Sequence, residues 1–359
     1  MKKQIKVDLG DRSYSIIIGK NAIAEISQLA NNFSKIIVVT DDIVYDLHYQ
    51  CIKNFLPQHQ TIVIENGEKA KSFAVANNIC EQILQHNIDR KSLIIAFGGG
   101  VVGDLAGFVA AILLRGIAFI QVPTTLLAMV DSSVGGKVAI NSLYGKNLLG
   151  SFYQPKAVIC DLNFLTTLPI RQFLAGYAEV VKYGFIADND FFFYLDNNYR
   201  HILQGDERYL LEIVAKSCQI KADIVARDEF ELGDRALLNF GHTFAHVFET
   251  ETNYSGEILH GEAVALGMAM AMQMSFNLNL IDKSQLDLAL NHLNKLGFKL
   301  HASYFRQSWL VDNLVQHLFK DKKNQHKQLV FILLDKIGQA KIIKNVDLQL
   351  FIDVLKDFI

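Results

Sequence analysis

The chain has 359 residues, of which 50% are hydrophobic and 20% charged, and its formal net charge is -2 at pH 7. This length favours two domains with sizeable cores, and a near-neutral charge without a basic tail argues against nucleic acid or an anionic membrane as a partner. The four cysteines are far apart and form no CxxC pair, which predicts reduced thiols and a cytoplasmic protein.

Short β-branched runs alternate with helical patterns through the first half of the chain. The runs predicted to be strands include "YSIII", "SKIIVVTDD", "QTIVIENGEKAK", "KSLIIAFGG", "IAFIQVPTT" and "AVICDLNFLTTLP". The segment "FVAAILLRGIAFIQV" is interrupted by Arg115 and is too short for a membrane span, so it is interpreted as a buried helix followed by a buried strand. The amino terminus lacks the apolar run of a signal peptide. The alternation predicts an α/β, Rossmann-like domain with a parallel sheet over residues 1–168.

The pattern becomes helical after Pro169, and no proline follows. Segments such as "FLAGYAEVVKYGFI", "ERYLLEIVAKSCQIKADIVARDE" and "GEAVALGMAMAMQMSFNL" have apolar residues at helical spacing. The segment "QLVFILLDKIGQAKIIK" near the carboxyl terminus predicts one small hairpin. We therefore predict an otherwise all-α second domain over residues 169–359.

A glycine-rich turn lies between a predicted strand and a predicted helix. Gly98, Gly100 and Gly103 fit the pattern G-x-G-x-x-G, in which backbone N–H groups and a helix N-terminus can hold a pyrophosphate. A tight turn without a ligand is the alternative. The turn comes late in the domain and no acidic residue ends a second strand about 20 residues later, so a variant of the standard dinucleotide fold is predicted. Asp104, Thr124 and Thr125 supply polar groups at predicted strand ends.

Several basic residues lie in glycine-rich or apolar surroundings. Lys137 and Lys146 each follow a glycine in a segment that reads as a flexible loop, and a solvated surface lysine is the alternative for Lys137. The other candidates for contact with an anion are Lys182, Arg235 and the lysine pair at 322–323. If these cations converge, they favour a substrate with more than one negative group, such as a carboxylate and a phosphate.

Three histidines lie within the segment "GHTFAHVFETETNYSGEILHGEAV", which otherwise reads as core. His242 and His246 project from one face of a helix, and His260 follows nearby. A buried imidazole needs partners for its nitrogens, and imidazole suits Zn²⁺, so a metal site with Glu179 as carboxylate ligand is predicted. The spacing leaves open which histidines bind metal and which one transfers protons.

Six motifs, in order, resemble the 3-dehydroquinate synthase family over nearly the whole chain. They are "GGGVVGDLAGFVAA", "QVPTTLLAMVDSSVGGKVAIN", "GKNLLGSFYQP", "AEVVKYG", "RALLNFGHTFAHVFE" and "HGEAVALGM". The resemblance implies a Rossmann-like domain that binds NAD, a helical domain that binds Zn²⁺ or Co²⁺, and a homodimer. It places the metal ligands at Glu179, His242 and His260, and leaves His246 to proton transfer in the phosphate region.

The resemblance also implies contacts for the cofactor and for the substrate. The implied NAD contacts are Asn66, Gly67, Glu68, Lys71, Gly100, Val101, Val102, Gly103, Asp104, Thr124, Thr125, Lys137, Lys146, Phe164, Leu165, Thr166 and Thr167. The implied catalytic contacts, besides His246, are Lys137, Lys182, Arg235, Asn239 and the acid/base residue Glu231. Further implied substrate contacts are Asp131, Asn147, Lys221 and Lys322, together with Arg115 reaching across the dimer interface.

The activity that the resemblance implies is that of a phosphate-eliminating carbon–oxygen lyase of the shikimate pathway. Its substrate is a sugar acid phosphate, 3-deoxy-D-arabino-heptulosonate 7-phosphate, which becomes 3-dehydroquinate and phosphate. Transient oxidation by NAD, β-elimination of phosphate, re-reduction and an intramolecular aldol closure account for the product. The alternatives are another sugar phosphate cyclase, a metal-dependent polyol dehydrogenase of related fold, and a catalytically silent NAD- or metal-binding protein.

Overall fold

Strands and helices alternate along the first half of the chain, as the β-branched runs predict. The structure is a computed structural model that describes residues 1–56, 58–321 and 329–359. The strands are β1 (Lys2–Val7), β2 (Tyr14–Gly19), β3 (Ile36–Asp41), β4 (Gln60–Ile64), β5 (Leu93–Gly98), β6 (Ala118–Pro123), β7 (Lys137–Ser142), β8 (Gly145–Phe152), β9 (Ala157–Asp161), β10 (Val330–Lys336) and β11 (Gln339–Lys344).

The α-helices are short between the strands and longer in the second half of the chain. They are α1 (Ile26–Ala30), α2 (Asp42–Phe55), α3 (Phe73–Gln85), α4 (Gly100–Ile112), α5 (Ile170–Ala187), α6 (Asn189–Leu203), α7 (Glu207–Arg227), α8 (His242–Glu251), α9 (His260–Asn277), α10 (Lys283–Lys295), α11 (Val311–Asp321) and α12 (Leu348–Asp357). No helix within the described ranges is long and apolar enough to cross a bilayer.

Side-chain caps explain where several of these helices begin. Asp41 accepts a hydrogen bond from the Val44 N–H at the start of α2, and Ser72 accepts one from Val75 at the start of α3. Asp188 caps α6 in the same way. Such caps satisfy N–H groups that the first helical turn leaves without an intrahelical partner. Local polar residues therefore set these boundaries, while the apolar faces decide what each helix packs on.

The main sheet has the strand order β1-β2-β9-β6-β5-β3-β4. Its neighbouring strands are parallel except for the edge pair β1–β2, which is antiparallel. Strand β3 pairs with β4 on one side and β5 on the other, so the strand order reverses there. Ligands of open α/β sheets bind at such a switch point, beyond the carboxyl ends of the strands. The glycine turn follows β5, which explains why it lies near residue 100 instead of after the first strand.

The segment with the two glycine–lysine pairs is a hairpin rather than the flexible loop that the sequence suggested. Strands β7 and β8 pair antiparallel, with Lys137 opposite Phe152. Val138 and Ile140 are buried in the same core as α3 and α4. These two alternate residues of β7 anchor the hairpin in that core. Most residues of β8 are exposed, so the two-residue period of a strand is difficult to recognise in the sequence.

The chain divides into two compact units. The first contains Met1–Pro169 and Gly205–Phe230, and the second contains Ile170–Gln204 and Glu231–Ile359. The predicted boundary near residue 168 differs from this division in one element, helix α7, which packs on β1 and β2. Its buried face includes Leu210, Val214 and Cys218. An amphipathic pattern reveals that a helix has a buried face, but not which core covers that face.

The second unit is built around α5, α8 and α9. Helix α9 contacts α8, α5, α10 and α12, and it also contacts β10. Strands β10 and β11 form the predicted antiparallel hairpin. The side chains of α9 from Ala263 to Met274 are therefore nearly all buried. This apolar surrounding is the environment in which the histidine-rich segment lies.

Candidate active site

A buried carboxylate lies on α5 in the second unit. Glu179 has no exposed surface, and Lys182, one turn later, is 1% exposed. The two side chains form an ion pair on the same face of the helix. A carboxylate is costly to bury unless positive groups or hydrogen-bond donors surround it. The other groups that surround Glu179 therefore indicate the role of this buried carboxylate.

Two of the three histidines converge on Glu179. His242 is the first residue of α8 and His260 is the first residue of α9. Their Nε2 atoms lie 3.5 Å and 3.4 Å from Glu179 Oε1. The ligand atoms of the three residues all lie within 4.8 Å of one another. One carboxylate and two imidazoles in this arrangement match the ligand sets of catalytic metal centres, which keep a position open for substrate.

The far nitrogen of each imidazole also has a partner. His242 Nδ1 lies 3.2 Å from the carbonyl oxygen of Phe240. His260 Nδ1 lies 3.3 Å and 3.4 Å from the two carboxylate oxygens of Glu249. Such partners select the tautomer whose Nε2 lone pair is available to a metal. The donor set and its supporting contacts therefore fit a divalent zinc- or cobalt-type ion.

The two histidines differ in proton affinity. Burial lowers the pKa of His242 to about 3. Burial also acts to lower the pKa of His260, but the carboxylates of Glu249 and Glu179 outweigh it and raise that pKa to about 10. A metal ligand must be deprotonated, so a metal ion held by this cluster would displace a proton from His260, and its affinity would fall as the pH falls.

Two glycines allow the helices of the cluster to approach one another. A Cβ atom at Gly261 would lie 1.9 Å from the carbonyl oxygen of Ala175 on α5. Gly241, which precedes α8, has φ +80°, and a Cβ there would lie 2.7 Å from the Met268 nitrogen on α9. Only a residue without Cβ is compatible with both contacts. Glycine at these positions therefore brings His260 and His242 within reach of Glu179.

We expect Gly261→Ala to destabilise the second unit by about 3 kcal/mol, although alanine ordinarily favours a helix over glycine. The methyl group would force α9 away from the α5 backbone and move His260. Thermal unfolding and metal titration measure both consequences. An unchanged melting temperature together with unchanged metal affinity would contradict this role for Gly261.

The remaining predicted residues of the second unit lie on or near the segment before α8. Arg235 is 1% exposed. Asn239 donates a hydrogen bond to Glu231 Oε1 at 3.0 Å. His246 lies one turn after His242 on α8, with ring centroids 5.8 Å apart. The cluster of ligand atoms contains His260 and not His246, a distinction that helical spacing alone leaves open.

In the first unit, packing alone already requires glycine at positions of the glycine turn, whether or not the turn binds a ligand. A Cβ at Gly98 would lie 2.6 Å from Val102 Cγ2, and a Cβ at Gly103 would lie 2.6 Å from Gln121 Oε1. Gly103 therefore allows α4 to pack closely on β6. A Cβ at Gly100 would meet the Ser132 hydroxyl at 3.0 Å. Val101, Val102 and Asp104 extend the turn into the first turns of α4, whose N-terminal N–H groups suit an anion.

A polar cluster forms beside this helix start. Lys71 is buried, and its Nζ donates to Asp104 Oδ2 at 2.7 Å and to Asn147 Oδ1 at 2.5 Å. Burial raises the pKa of Asp104, and the Lys71 ammonium opposes that shift. Lys71 thus links α4 to the β8 strand of the hairpin. The contact joins two predicted cofactor residues to a predicted substrate residue.

Glu68 and Lys146 extend the same cluster, with Lys146 Nζ 3.7 Å from Glu68 Oε1. Asn141, which the sequence analysis missed, donates to Glu68 Oε1 at 2.8 Å and accepts from the Asn147 N–H at 3.0 Å. The motif "VAIN" contained this residue, but an asparagine at a strand end carries no signal of its own. Its contacts with Glu68 and Asn147 depend on the register of the hairpin.

We expect Lys71→Met to reduce NAD⁺ affinity by about tenfold or more, because the loss of a charge-assisted hydrogen bond costs about 1.5–3 kcal/mol. Titration with NAD⁺ measures the affinity. Lys69→Met is the matched control, since Lys69 is exposed in the same short 3-10 helix, Glu68–Ala70. Equal NAD⁺ affinities for the two variants would contradict a cofactor role for Lys71.

Asp131 and Lys221 form another charged pair among the predicted residues of the first unit. Lys221 Nζ donates to both the carboxylate and the backbone carbonyl of Asp131, at 2.6 Å each. Asp131 belongs to a π-helical turn, Ala128–Ser132, which follows β6. The Met129 carbonyl in this turn accepts contacts from the Cys160 thiol at 4.0 Å and the Cys218 thiol at 3.3 Å. Buried thiols from β9 and α7 therefore support the turn that carries Asp131.

The segment from Phe164 to Thr167 belongs to a 3-10 helix, Leu162–Thr167, that follows β9. Phe164 and Leu165 are buried, whereas Thr166 and Thr167 are exposed. The Thr167 hydroxyl donates to the Phe164 carbonyl at 3.2 Å, so it accepts from His48 Nε2, which lies 2.8 Å away. Burial lowers the pKa of His48. The sequence did not predict this contact of His48, which lies on α2, because nothing near His48 in the chain indicates a partner in a distant segment.

Other predicted cofactor residues lie in turns after the strands. The Asn66 N–H donates to Asp42 Oδ1 at 3.1 Å, and Gly67 has φ 102°. The Thr124 N–H donates to the Gly98 carbonyl at 3.0 Å, and Thr125 Oγ1 accepts from the Ala128 N–H at 3.2 Å. These turns follow β4 and β6, the strands beyond which the switch-point rule expects ligands.

Three predicted functional residues have a left-handed backbone. Arg115, Asn147 and Glu231 have φ angles of 68°, 56° and 59°. This region is uncommon for residues other than glycine, and such strain concentrates at functional sites.

Arg115 is exposed, as is Lys137 at the start of β7. Lys322 and its neighbour Lys323 lie outside the described residues.

The fold and the two clusters define a class of protein. A glycine turn at the switch point of a parallel sheet, joined in one chain to a helical unit with a carboxylate–imidazole cluster, is typical of metal-dependent enzymes that also bind a nucleotide. The patterns described as 3-dehydroquinate synthase N-terminal and 3-dehydroquinate synthase C-terminal match residues 61–175 and 176–324. The chain belongs to the 3-dehydroquinate synthase family, which confirms the resemblance.

Individual relatives agree with this assignment. The chain is 45% identical to the 3-dehydroquinate synthase of Bartonella bacilliformis, over 99% of this chain and 97% of that protein. A 2-deoxy-scyllo-inosose synthase complexed with carbaglucose-6-phosphate, NAD⁺ and Co²⁺ is 26% identical, with a TM-score of 0.88, and covers 99% of this chain and 100% of its own.

A third comparison supports the fold alone. ValA, the 2-epi-5-epi-valiolone synthase from Streptomyces hygroscopicus subsp. jinggangensis with NAD⁺ and Zn²⁺ bound, is 24% identical, with a TM-score of 0.88 and 98% coverage of both chains. The predicted architecture, a Rossmann-like parallel sheet followed by a helical domain, is therefore confirmed.

Proposed function

We propose that this protein is a 3-dehydroquinate synthase, a lyase that converts 3-deoxy-D-arabino-heptulosonate 7-phosphate to 3-dehydroquinate and inorganic phosphate. The observation that carries the proposal is the full-length similarity at 45% identity to an enzyme of that name. The cluster of Glu179, His242 and His260 supports it independently, because its ligand set suits a catalytic metal.

We propose that the first unit binds NAD⁺ and the second binds Zn²⁺ or Co²⁺, the ions present in the two structural neighbours. When bound, these groups supply hydride transfer at a substrate alcohol and a lowered pKa for that alcohol. The proposed NAD⁺ site is the turn after β5, the polar cluster around Lys71, the turns after β4 and β6, and the segment after β9. The proposed metal ligands are Glu179, His242 and His260.

The proposed substrate contacts supply positive charge and hydrogen-bond donors for a sugar acid phosphate. Lys137, Asn147, Arg235, Asn239 and His246 would hold the phosphate end. Lys182, Lys221 and Asp131 would contact the sugar hydroxyls or the carboxylate, and Glu231 would act as an acid or base. Elimination of phosphate then requires mainly a fixed orientation of the leaving group, which such contacts provide. All of these roles, like those of Lys322 and Arg115, rest on the family resemblance.

We also propose a cytoplasmic homodimer. All four cysteines are free, and Cys80, Cys160 and Cys218 are buried, as expected for a protein of a reducing compartment. Arg115 is exposed at a left-handed turn, a position from which an arginine can reach a second subunit. Sedimentation of the purified protein tests the dimer.

The test is to incubate metal-loaded protein with NAD⁺ and the heptulosonate phosphate, and to follow phosphate release and carbocycle formation together. We expect equal amounts of the two products and no net accumulation of NADH, because the hydride returns to the substrate. Accumulation of NADH with a simple polyol would support a dehydrogenase instead. Phosphate release from a hexose 6-phosphate alone would support another sugar phosphate cyclase.

A further inference from the structure

The two imidazoles of the proposed metal site have partners of different charge. His242 Nδ1 faces a neutral backbone carbonyl, that of Phe240, at 3.2 Å. His260 Nδ1 faces a carboxylate, with Glu249 Oε1 at 3.3 Å and Oε2 at 3.4 Å. The difference arises because Glu249 lies seven residues, or two turns, after His242 on α8. Helix α8 therefore carries both His242, one proposed ligand, and Glu249, the partner of His260, the other proposed imidazole ligand.

Glu249 is itself buried, with 4% of its surface exposed. A carboxylate so placed must be compensated, and the N–H on His260 Nδ1 is a donor directed at both of its oxygens. The ring of His260 is thereby fixed with Nε2 directed at Glu179, 3.4 Å from Oε1. Without Glu249 the ring could adopt the other tautomer or rotate about its side-chain bonds.

We propose that Glu249 is a positioning residue that makes His260 the more electron-rich of the two imidazole ligands and sets the metal affinity of the site. A carboxylate that accepts the Nδ1 proton increases the electron density at Nε2, whereas a peptide carbonyl does so much less. The inference rests on the metal site proposed above and extends it to a residue outside the ligand set.

Glu249→Gln removes the charge while it preserves the size and one acceptor oxygen. We expect affinity for Zn²⁺ or Co²⁺ to fall by about 10- to 100-fold, the usual effect of losing such a partner. The visible absorption bands of bound Co²⁺ should shift, because they report the ligand field directly. Competition with a chelator of known affinity measures the first quantity, and absorption spectroscopy measures the second.

Glu251→Gln is the matched control. Glu251 lies on the same helix, and one of its oxygens is 2.7 Å from His317 Nε2, so it forms an equivalent carboxylate–histidine pair that includes no proposed ligand. We expect its metal affinity and Co²⁺ spectrum to match those of the unmodified protein. Equal losses in the two variants, or an unchanged affinity and spectrum in Glu249→Gln, would overturn the inference.

A measurement on the unmodified protein covers the case in which Glu249→Gln does not fold. In the zinc-loaded protein with ¹⁵N-labelled histidine, NMR should find His260 bound through Nε2 and protonated at Nδ1. Coordination through Nδ1 would refute the role of Glu249. If the unmodified protein takes up no metal at all, the proposed function fails with it; normal uptake combined with an insensitive Glu249→Gln variant overturns this inference alone.

Discussion

We expect His242→Ala to abolish stoichiometric metal binding and to reduce turnover by about 10³-fold. His242 is 9% exposed, and its Nε2 lies 3.5 Å from Glu179 Oε1. Its loss would leave one carboxylate and one imidazole, too few ligands for a stable catalytic site. A bound metal contributes several kcal/mol to charge stabilisation in a transition state, and about 4 kcal/mol corresponds to about 10³ in rate. Metal analysis and steady-state phosphate release measure the two effects.

His317→Ala is the control for this variant, because His317 is a partly buried histidine of the same unit that pairs with Glu251. It should retain metal and activity. His242→Ala should still bind NAD⁺ with normal affinity, since the proposed nucleotide residues lie in the other unit. A His242→Ala protein that retains both its metal and its turnover would remove His242 from the ligand set.

The second large effect is expected at Arg235. This guanidinium is 1% exposed, and a charged side chain is rarely buried so fully unless it serves a structural or binding role. A guanidinium can hold a phosphate through two parallel hydrogen bonds. We expect Arg235→Met to lower kcat/KM for the phosphorylated substrate by about 10- to 100-fold, because hydrogen bonds to charged groups are worth about 1.5–3 kcal/mol each.

Methionine retains much of the apolar volume, so folding and metal affinity should change little. Arg200→Ala serves as the control, since Arg200 is an exposed arginine near the end of α6 in the same unit. Inorganic phosphate, tested as a product inhibitor, should bind less well to Arg235→Met than to the control. Unchanged KM, kcat and phosphate inhibition would rule out a phosphate role for Arg235.

Part of the site could be predicted from residue type and spacing. The three histidines in an apolar segment indicated a metal, and Glu179 on an apolar helical face was the expected carboxylate. Spacing could not decide between His246 and His260 as the second imidazole ligand. That choice depends on how α9 packs against α5 and α8, which Gly261 and Gly241 make possible. The family resemblance implies His260, and helix packing brings His260, not His246, into the cluster with Glu179 and His242.

The sequence by itself determined the alternation of strands and helices, the glycine turn, the helical second half and the presence of residue types suited to metal binding, because periodicity, capping and residue type are local properties. Only the tertiary structure decided which core covers α7, which partners support each imidazole, and how Lys71 joins Asp104 to Asn147. Glu249, Asn141 and His48 gave no recognisable signal along the chain. Their contacts depend on the packing of helices and on the register of a hairpin, and a pattern along one segment contains no information about the segment opposite it.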